Sequence, residues 1–380
     1  MKKIISTVVV FMLLFSCVEE NDDNTTEGSD DFDRTLILNN WVDNIILPAY
    51  DAFEAEVSNL KTAETAFVSS PSEATLTTFQ TSLFETQKAW QHVAMFDLGL
   101  DVNATATYRE FMNSYPVDVT EVDASLDTTV DDIAIISFDL SIRADEQGLP
   151  TLDYLLNGVD LDKYTTDDQS EVYSAYVTKV VDRIVSLTSD VTSYWNTNAV
   201  SIKSDGGSSA TSSFNILFND YLFYVEQGFR EAKIATPSGS RTGGASKDPM
   251  FVESFYTSEN SKILFLEAYE AVENLYFGIS FDGNSDGESI DSYIEFLNPD
   301  TIFDSVTLQN YSFSDFISLK LSDIDEQVDL LNDDFTIDVE NNNDNMIDTF
   351  TVIQNYVVFL KTNVVQTIGV TIDFADSDGD

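Results

Sequence analysis

Tyr173, Val177, Val180, Ile184, Leu187, Val191 and Tyr194 follow one another in steps of four and three residues. Steps of that size return to the same side of an α-helix, so this stretch predicts one long helix with a single apolar stripe. The rhythm recurs at Ile317, Leu321, Ile324, Val328 and Leu331, and at Phe350, Ile353, Val357, Leu360 and Val364. Shorter versions run through Leu217, Tyr221, Tyr224 and Gly228, and through Leu264, Phe265, Tyr269, Val272, Leu275 and Tyr276. No stretch of comparable length alternates with the period of a strand. Apolar stripes must be covered, and helices cover one another in antiparallel bundles. An all-α fold is therefore expected.

A chain of 380 residues favours two domains over one. The best internal boundary is the small, polar run Lys203-Ser204-Asp205-Gly206-Gly207-Ser208-Ser209. It divides the ordered region into bundles at 35–203 and 208–370, expected to pack side by side. A second polar stretch, Thr236 to Asp248, carries Pro237, Gly239, Gly243 and Gly244 with Pro249 beyond it, and reads as a loop. Residues 371–380 form an acidic tail.

Charge narrows the function. Asp and Glu number 67 against 18 Lys and Arg, a net charge of −49, which repels phosphate backbones and excludes nucleic acid as a partner. Hydrophobic residues still make up 43% of the chain, enough for packed cores. A single Cys rules out an internal disulfide, and a single His rules out any site needing two imidazoles.

Lys2 and Lys3 precede an uncharged, mostly apolar run from Ile4 to Phe15, followed by Ser16 and Cys17. That order is an export signal over residues 1–16, too short to span ~30 Å of hydrocarbon comfortably. Leu14-Phe15-Ser16-Cys17 resembles the lipobox of bacterial lipoproteins, which implies that Cys17 is lipidated and becomes the mature N-terminus. Residues 17–34, rich in Asp, Glu and Asn, read as an acidic tether. The acidic run after Cys17 also resembles the surface-export signal of Bacteroidetes lipoproteins. Together these imply an outer-membrane lipoprotein, exposed at the surface, with the membrane as a partner through its anchor.

Gly148-Leu149-Pro150-Thr151-Leu152-Asp153 opens another apolar run, with Pro150 able to sit in a first helical turn and Gly148 permissive before it. Here the chain resembles imelysin-like proteins, whose signature is G-x-H-x-x-E. The resemblance extends over Pro48-Ala49-Tyr50, Gln87-Lys88-Ala89-Trp90, Asn113-Ser114-Tyr115-Pro116, Glu226 with Lys233 and Pro237, Val252-Glu253-Ser254, Leu275 to Gly278, Lys361 to Val364, and Ile368-Gly369-Val370. It implies two related helical bundles in envelope proteins linked to iron uptake, whose founding members were described as peptidases. This chain departs from the signature: Pro150 stands for the histidine and Asp153 for the glutamate. A prolyl nitrogen can neither ligate a metal nor carry a proton, so no catalytic residue is assigned.

The expected ligand cleft draws on Trp90, Gly148, Pro150, Asp153, Glu226, Lys233 and Glu253. Trp90 reads first as core, and Asp153 as a carboxylate at a helix start, stabilised by the dipole. Glu226 and Lys233, seven apart on an aromatic helix, should share a face and either pair across the domains or contact a ligand. Asp153 and Glu226 should face a common cleft, with Lys233 pairing one of them. His92 reads as a helix-surface residue. Asp282, Asn284, Asp286 and Glu288 resemble the first half of a calcium loop, but Tyr293 stands where its last carboxylate belongs, and a solvated acidic loop is the alternative.

The leading expectation is a non-catalytic envelope component that binds iron or an iron-bearing ligand and works with uptake components. A divergent metallopeptidase and a structural or adhesive surface protein are the alternatives. Iron or calcium is the cofactor to consider.

Overall fold

The computed structural model describes residues 31–96 and 108–374. The export signal, Cys17, most of the tether and the end of the acidic tail lie outside the described residues.

Among the described residues the fold is helical apart from one small hairpin and an isolated bridge between Ile279 and Asp286. In the first half, Leu47–Ser69 packs against Glu73–Gln91 and against the long helix Ser170–Lys203. Ser72 starts the second of these with a reciprocal cap: its hydroxyl accepts from Thr75 N, and its own N–H donates to the Thr75 hydroxyl. On the long helix Val177, Val180, Ile184 and Val191 are buried as the stripe requires, and Tyr176, Val181 and Trp195 widen it. Rings lock the three helices together, with Phe53 5.7 Å from Trp90, Phe67 5.9 Å from Phe79 and Tyr50 5.9 Å from Trp195.

The second half assembles Ser213–Ala235, Ser261–Phe277, Phe313–Val328 and Asn343–Phe359. Phe229 stacks on Phe265 at 4.6 Å, and the hydroxyls of Tyr221 and Tyr356 meet at 2.7 Å inside the core. Buried apolar side chains form one connected cluster through both halves. The chain start is sewn into the second half: Trp41 Nε1 donates to Leu275 O at 2.9 Å, and Asn40 Nδ2 to Gly278 O at 2.8 Å.

Four stretches wind with i→i+5 bonds rather than i→i+4: Trp41–Ile46, Tyr154–Gly158, Tyr224–Ala235 and Leu360–Val364. Thr236–Asp248 does not begin as a loop. Thr236–Ser238 adds a last helical turn, closed by Gly239 at φ +62°. The hairpin pairs Ile302–Asp304 with Gln309–Tyr311, strands of three residues that are too short to show alternation in sequence.

Candidate functional site

Gly148 begins the short helix Gly148–Asp153 with φ +79°, and a Cβ there would lie 2.7 Å from Phe111 O. Only glycine lets this helix press so closely on the backbone of Phe111 and Met112. The helix therefore lies against the Tyr108–Asn113 segment, which carries Asn113 to a buried charged cluster.

Glu253 is the centre of that cluster. Its Oε1 accepts from Gln91 Nε2 at 3.0 Å and from Asn113 Nδ2 at 2.8 Å. Its Oε2 pairs with Lys233 Nζ, which also donates to Gln91 Oε1 at 2.8 Å. Lys233, Glu253 and Gln91 thus close a ring, and their exposures are 5%, 6% and 1%. The buried charges compensate each other, and the amides complete their hydrogen bonds.

Lys233 and Gln91 also line an open cleft of about 410 Å³ between the two halves. Trp90, Tyr115, Phe223, Tyr224 and Phe374 give it aromatic walls, and Arg109, Glu110, Asp220 and Asp373 lie at its margin. Arg109 is pinned by bonds to Ala94 O at 2.7 Å and Met95 O at 3.2 Å, its guanidinium over the Phe223 ring. Burial pushes the Tyr115 and Tyr224 hydroxyls well up, and the Glu253 charge adds to both, so they stay protonated donors. The Tyr224 hydroxyl is buried with no hydrogen-bond partner among the described residues.

Asp153 faces a different recess, of about 10 Å³, lined by Pro150, Tyr115, Pro116 and the Met250–Tyr256 loop. That is room for about one water. Its carboxylate accepts from Asn157 Nδ2 at 2.9 Å, Thr257 Oγ1 at 3.0 Å and Tyr256 N at 3.0 Å. Burial pushes its pKa up to about 6 despite those three donors. Asp153 is the last residue of its α-helical stretch, which continues as Tyr154–Gly158, so no helix-start dipole acts on it.

Glu226 is fully buried elsewhere. It accepts from Lys361 Nζ at 2.9 Å and stands 3.6 Å from Arg230. Lys233 thus pairs with neither Asp153 nor Glu226. The cause is winding: in an i→i+5 helix each turn takes more residues, so a seven-residue step no longer returns to one face. Of the expected cleft residues, Trp90, Lys233 and Glu253 gather at one place, Pro150 and Asp153 line the neighbouring recess, and Gly148 and Glu226 serve packing and a separate ion pair.

His92 is not a plain surface residue. Its Nε2 meets Glu267 Oε2 at 2.9 Å, tying the end of Glu73–Gln91 to Ser261–Phe277, and the bond lowers the Glu267 pKa. In the calcium-like loop, Asp282 accepts from Ser280 Oγ and Asn284 N, which hold its pKa down at about 2. Glu288 turns instead to Ser292 Oγ at 2.7 Å. Sequence reading passed over Gln91, Arg109 and Tyr224 as site residues. Gln91 follows Gln87 by one helical turn, a buried-polar spacing that could have marked it.

The imelysin family profile matches residues 46–329. The chain belongs to the imelysin family. No curated protein sequence matches it. Among solved structures it is similar to a Parabacteroides distasonis protein described as an iron-regulated protein A precursor, with TM-score 0.69, 18% identity, and 89% of this chain and 95% of that one covered. An imelysin-like protein from Psychrobacter arcticum gives TM-score 0.63 and 16% identity over 90% and 97% of the two chains. At these identities the likeness establishes the shared fold.

Within the imelysin signature, Pro150 and Asp153 do not make a metal centre. Among the described residues no three His, Cys, Asp or Glu side chains converge as metal ligands. Asp153 of the signature and Glu253 already have their oxygens taken by Lys233, Gln91, Asn113, Asn157, Tyr256 and Thr257. Bare iron does not fit the donors that Pro150, Asp153 and Glu253 present.

Proposed function

We propose that this imelysin-family chain is an exported envelope lipoprotein that binds an iron-bearing organic ligand in the cleft and catalyses nothing there. The observation that carries the reading is the cleft of about 410 Å³, walled by Trp90, Tyr224 and Phe223, with the buried Tyr224 hydroxyl unpartnered beside it. Aromatic walls combined with polar side chains suit a preformed small-molecule site. Lys233, held by Glu253 and Gln91, is a positioned polar group at the cleft wall. Iron would arrive inside its chelate, which fits the lack of converging metal ligands among the described residues. A relative described as iron-regulated supports the iron link, and its description as a precursor supports export. No helix among the described residues is long and apolar enough to cross a membrane, and the attachment proposed is the lipid on Cys17.

The test uses ferric citrate and citrate alone against the purified full chain, followed by tryptophan fluorescence. Quenching by the ferric complex that disappears in Trp90→Phe supports the reading. Equal signals from wild type and Trp90→Phe, or chelator-sensitive cleavage of an unfolded polypeptide, would overturn it.

A further inference from the structure

The hairpin after the Ile290–Leu297 helix shows its apolar side chains to water. Phe303 is 59% exposed, Val306 85% and Leu308 73%, with Phe296 nearby in sequence at 54%. Leu308 has φ +58°, a backbone region that leucine rarely takes, so the turn holds this side chain outward against local preference.

Charge makes the tip more unusual. The chain carries 67 acidic residues, yet Thr301 to Ser312 contains one, Asp304. That carboxylate is folded inward at 7% exposure, accepting from Val306 N, Thr307 N and Thr307 Oγ1 at 3.2, 2.9 and 2.7 Å. The other exposed apolar stretch, Val130 to Ile142, differs because exposed Asp131, Asp132 and Asp139 interrupt it.

The position of the tip relates it to the membrane. Phe32, where the folded body begins after the tether, stacks on Tyr293 at 4.5 Å and lies 5.3 Å from Phe296. Arg34 donates to Ile368 O at 3.1 Å, and the neighbouring Gln366 and Thr367 line a groove with Ile302 and Phe303. The chain start and the hairpin therefore share one end of the molecule. Residues 18–31 can span at most ~50 Å even fully extended, so lipidated Cys17 would keep this end within that reach of the bilayer.

We propose that the Ile302–Tyr311 hairpin is a lipid-seating tip, with Phe303, Val306 and Leu308 entering the interfacial layer of the membrane that Cys17 anchors. The proposal rests on the lipoprotein reading above. Apolar side chains of this kind settle at the boundary between headgroups and acyl chains. A second copy is the poorer occupant, because two bodies of net charge −49 repel. The same charge, with Glu295 and Asp300 exposed beside the hairpin, directs the tip to zwitterionic rather than anionic lipid.

The test takes the full chain with its anchor, reconstituted in zwitterionic vesicles that contain nitroxide-labelled lipid. Cys17 is the chain's only cysteine and its thiol is consumed by lipidation, so Val306→Cys adds one free thiol for an environment-sensitive dye. Ile142→Cys, at a site 82% exposed, is the control. Blue-shifted emission and loss of signal to the labelled lipid at 306 but not at 142 is the expected result. Adding Phe303→Ser and Leu308→Ser should abolish that loss while the chain still floats with the vesicles. Aqueous emission at both positions in floating protein would overturn the tip alone. A shift at 306 that depends on protein concentration without lipid would overturn it in favour of self-association. Failure of every version to float would remove the lipoprotein reading, and the tip with it.

Discussion

Lys233 Nζ pairs with Glu253 Oε2 inside the protein, and Gln91 bonds to both partners, so a side chain of the first half is tied to a charge pair of the second beneath the cleft. Removing one partner strands the other charge in a water-poor site, which typically costs ~3–5 kcal/mol. Glu253→Gln and Lys233→Met should each lower stability by about that much in urea unfolding. The double substitution should recover part of the loss, because it strands no charge.

Tyr224→Phe should separate ligand binding from stability. It deletes a buried hydroxyl that has no partner among the described residues, so the free protein should hold or gain stability. The ferric citrate response should weaken. Unfolding curves and fluorescence titration of the same preparation check both halves of this prediction.

Acidity should stabilise the fold over part of its range. The Asp153 pKa stands at about 6 in the folded chain against an ordinary 3.8, raised by burial. Between those values the native state holds more proton than the unfolded one, so this contribution to stability falls as pH rises through the window. About 2 pKa units correspond to ~3 kcal/mol, and Asp153→Asn should flatten the fall between pH 4 and 6.5. Glu273, raised to about 7 by burial and by Asp325 and Glu270, acts in the same direction at higher pH. Glu273→Gln should flatten the profile between pH 4.5 and 7.5. Thermal melts across pH read both.

Gly148→Ala should cost more than about 2 kcal/mol. The new methyl would meet the Phe111 and Met112 backbone, at φ +79°, where alanine is strained. Helix content at low temperature should survive while the melting point drops.

His92→Ala should cost no more than about 1 kcal/mol, as expected for a part-exposed pair. It should also return the Glu267 pKa toward its ordinary value, which carboxyl chemical shifts would report.

Helical periodicity and the resemblance around Gly148 were legible because each is local: a stripe or a short signature needs only its own neighbours along the chain. The all-helical architecture and the imelysin kinship followed from them. Which charges meet was not legible. Glu226 and Lys233 promised a shared face only if their helix wound with i→i+4 bonds, and the i→i+5 winding of Tyr224–Ala235 sent one to Lys361 and the other to Glu253. Asp153 looked like a helix start until the Tyr256–Thr257 segment closed over it, more than a hundred residues away in sequence. Periodicity records which side of a helix must be dry. Partner choice for a buried charge depends on distances between elements far apart in the chain, and only the packed tertiary structure sets those distances.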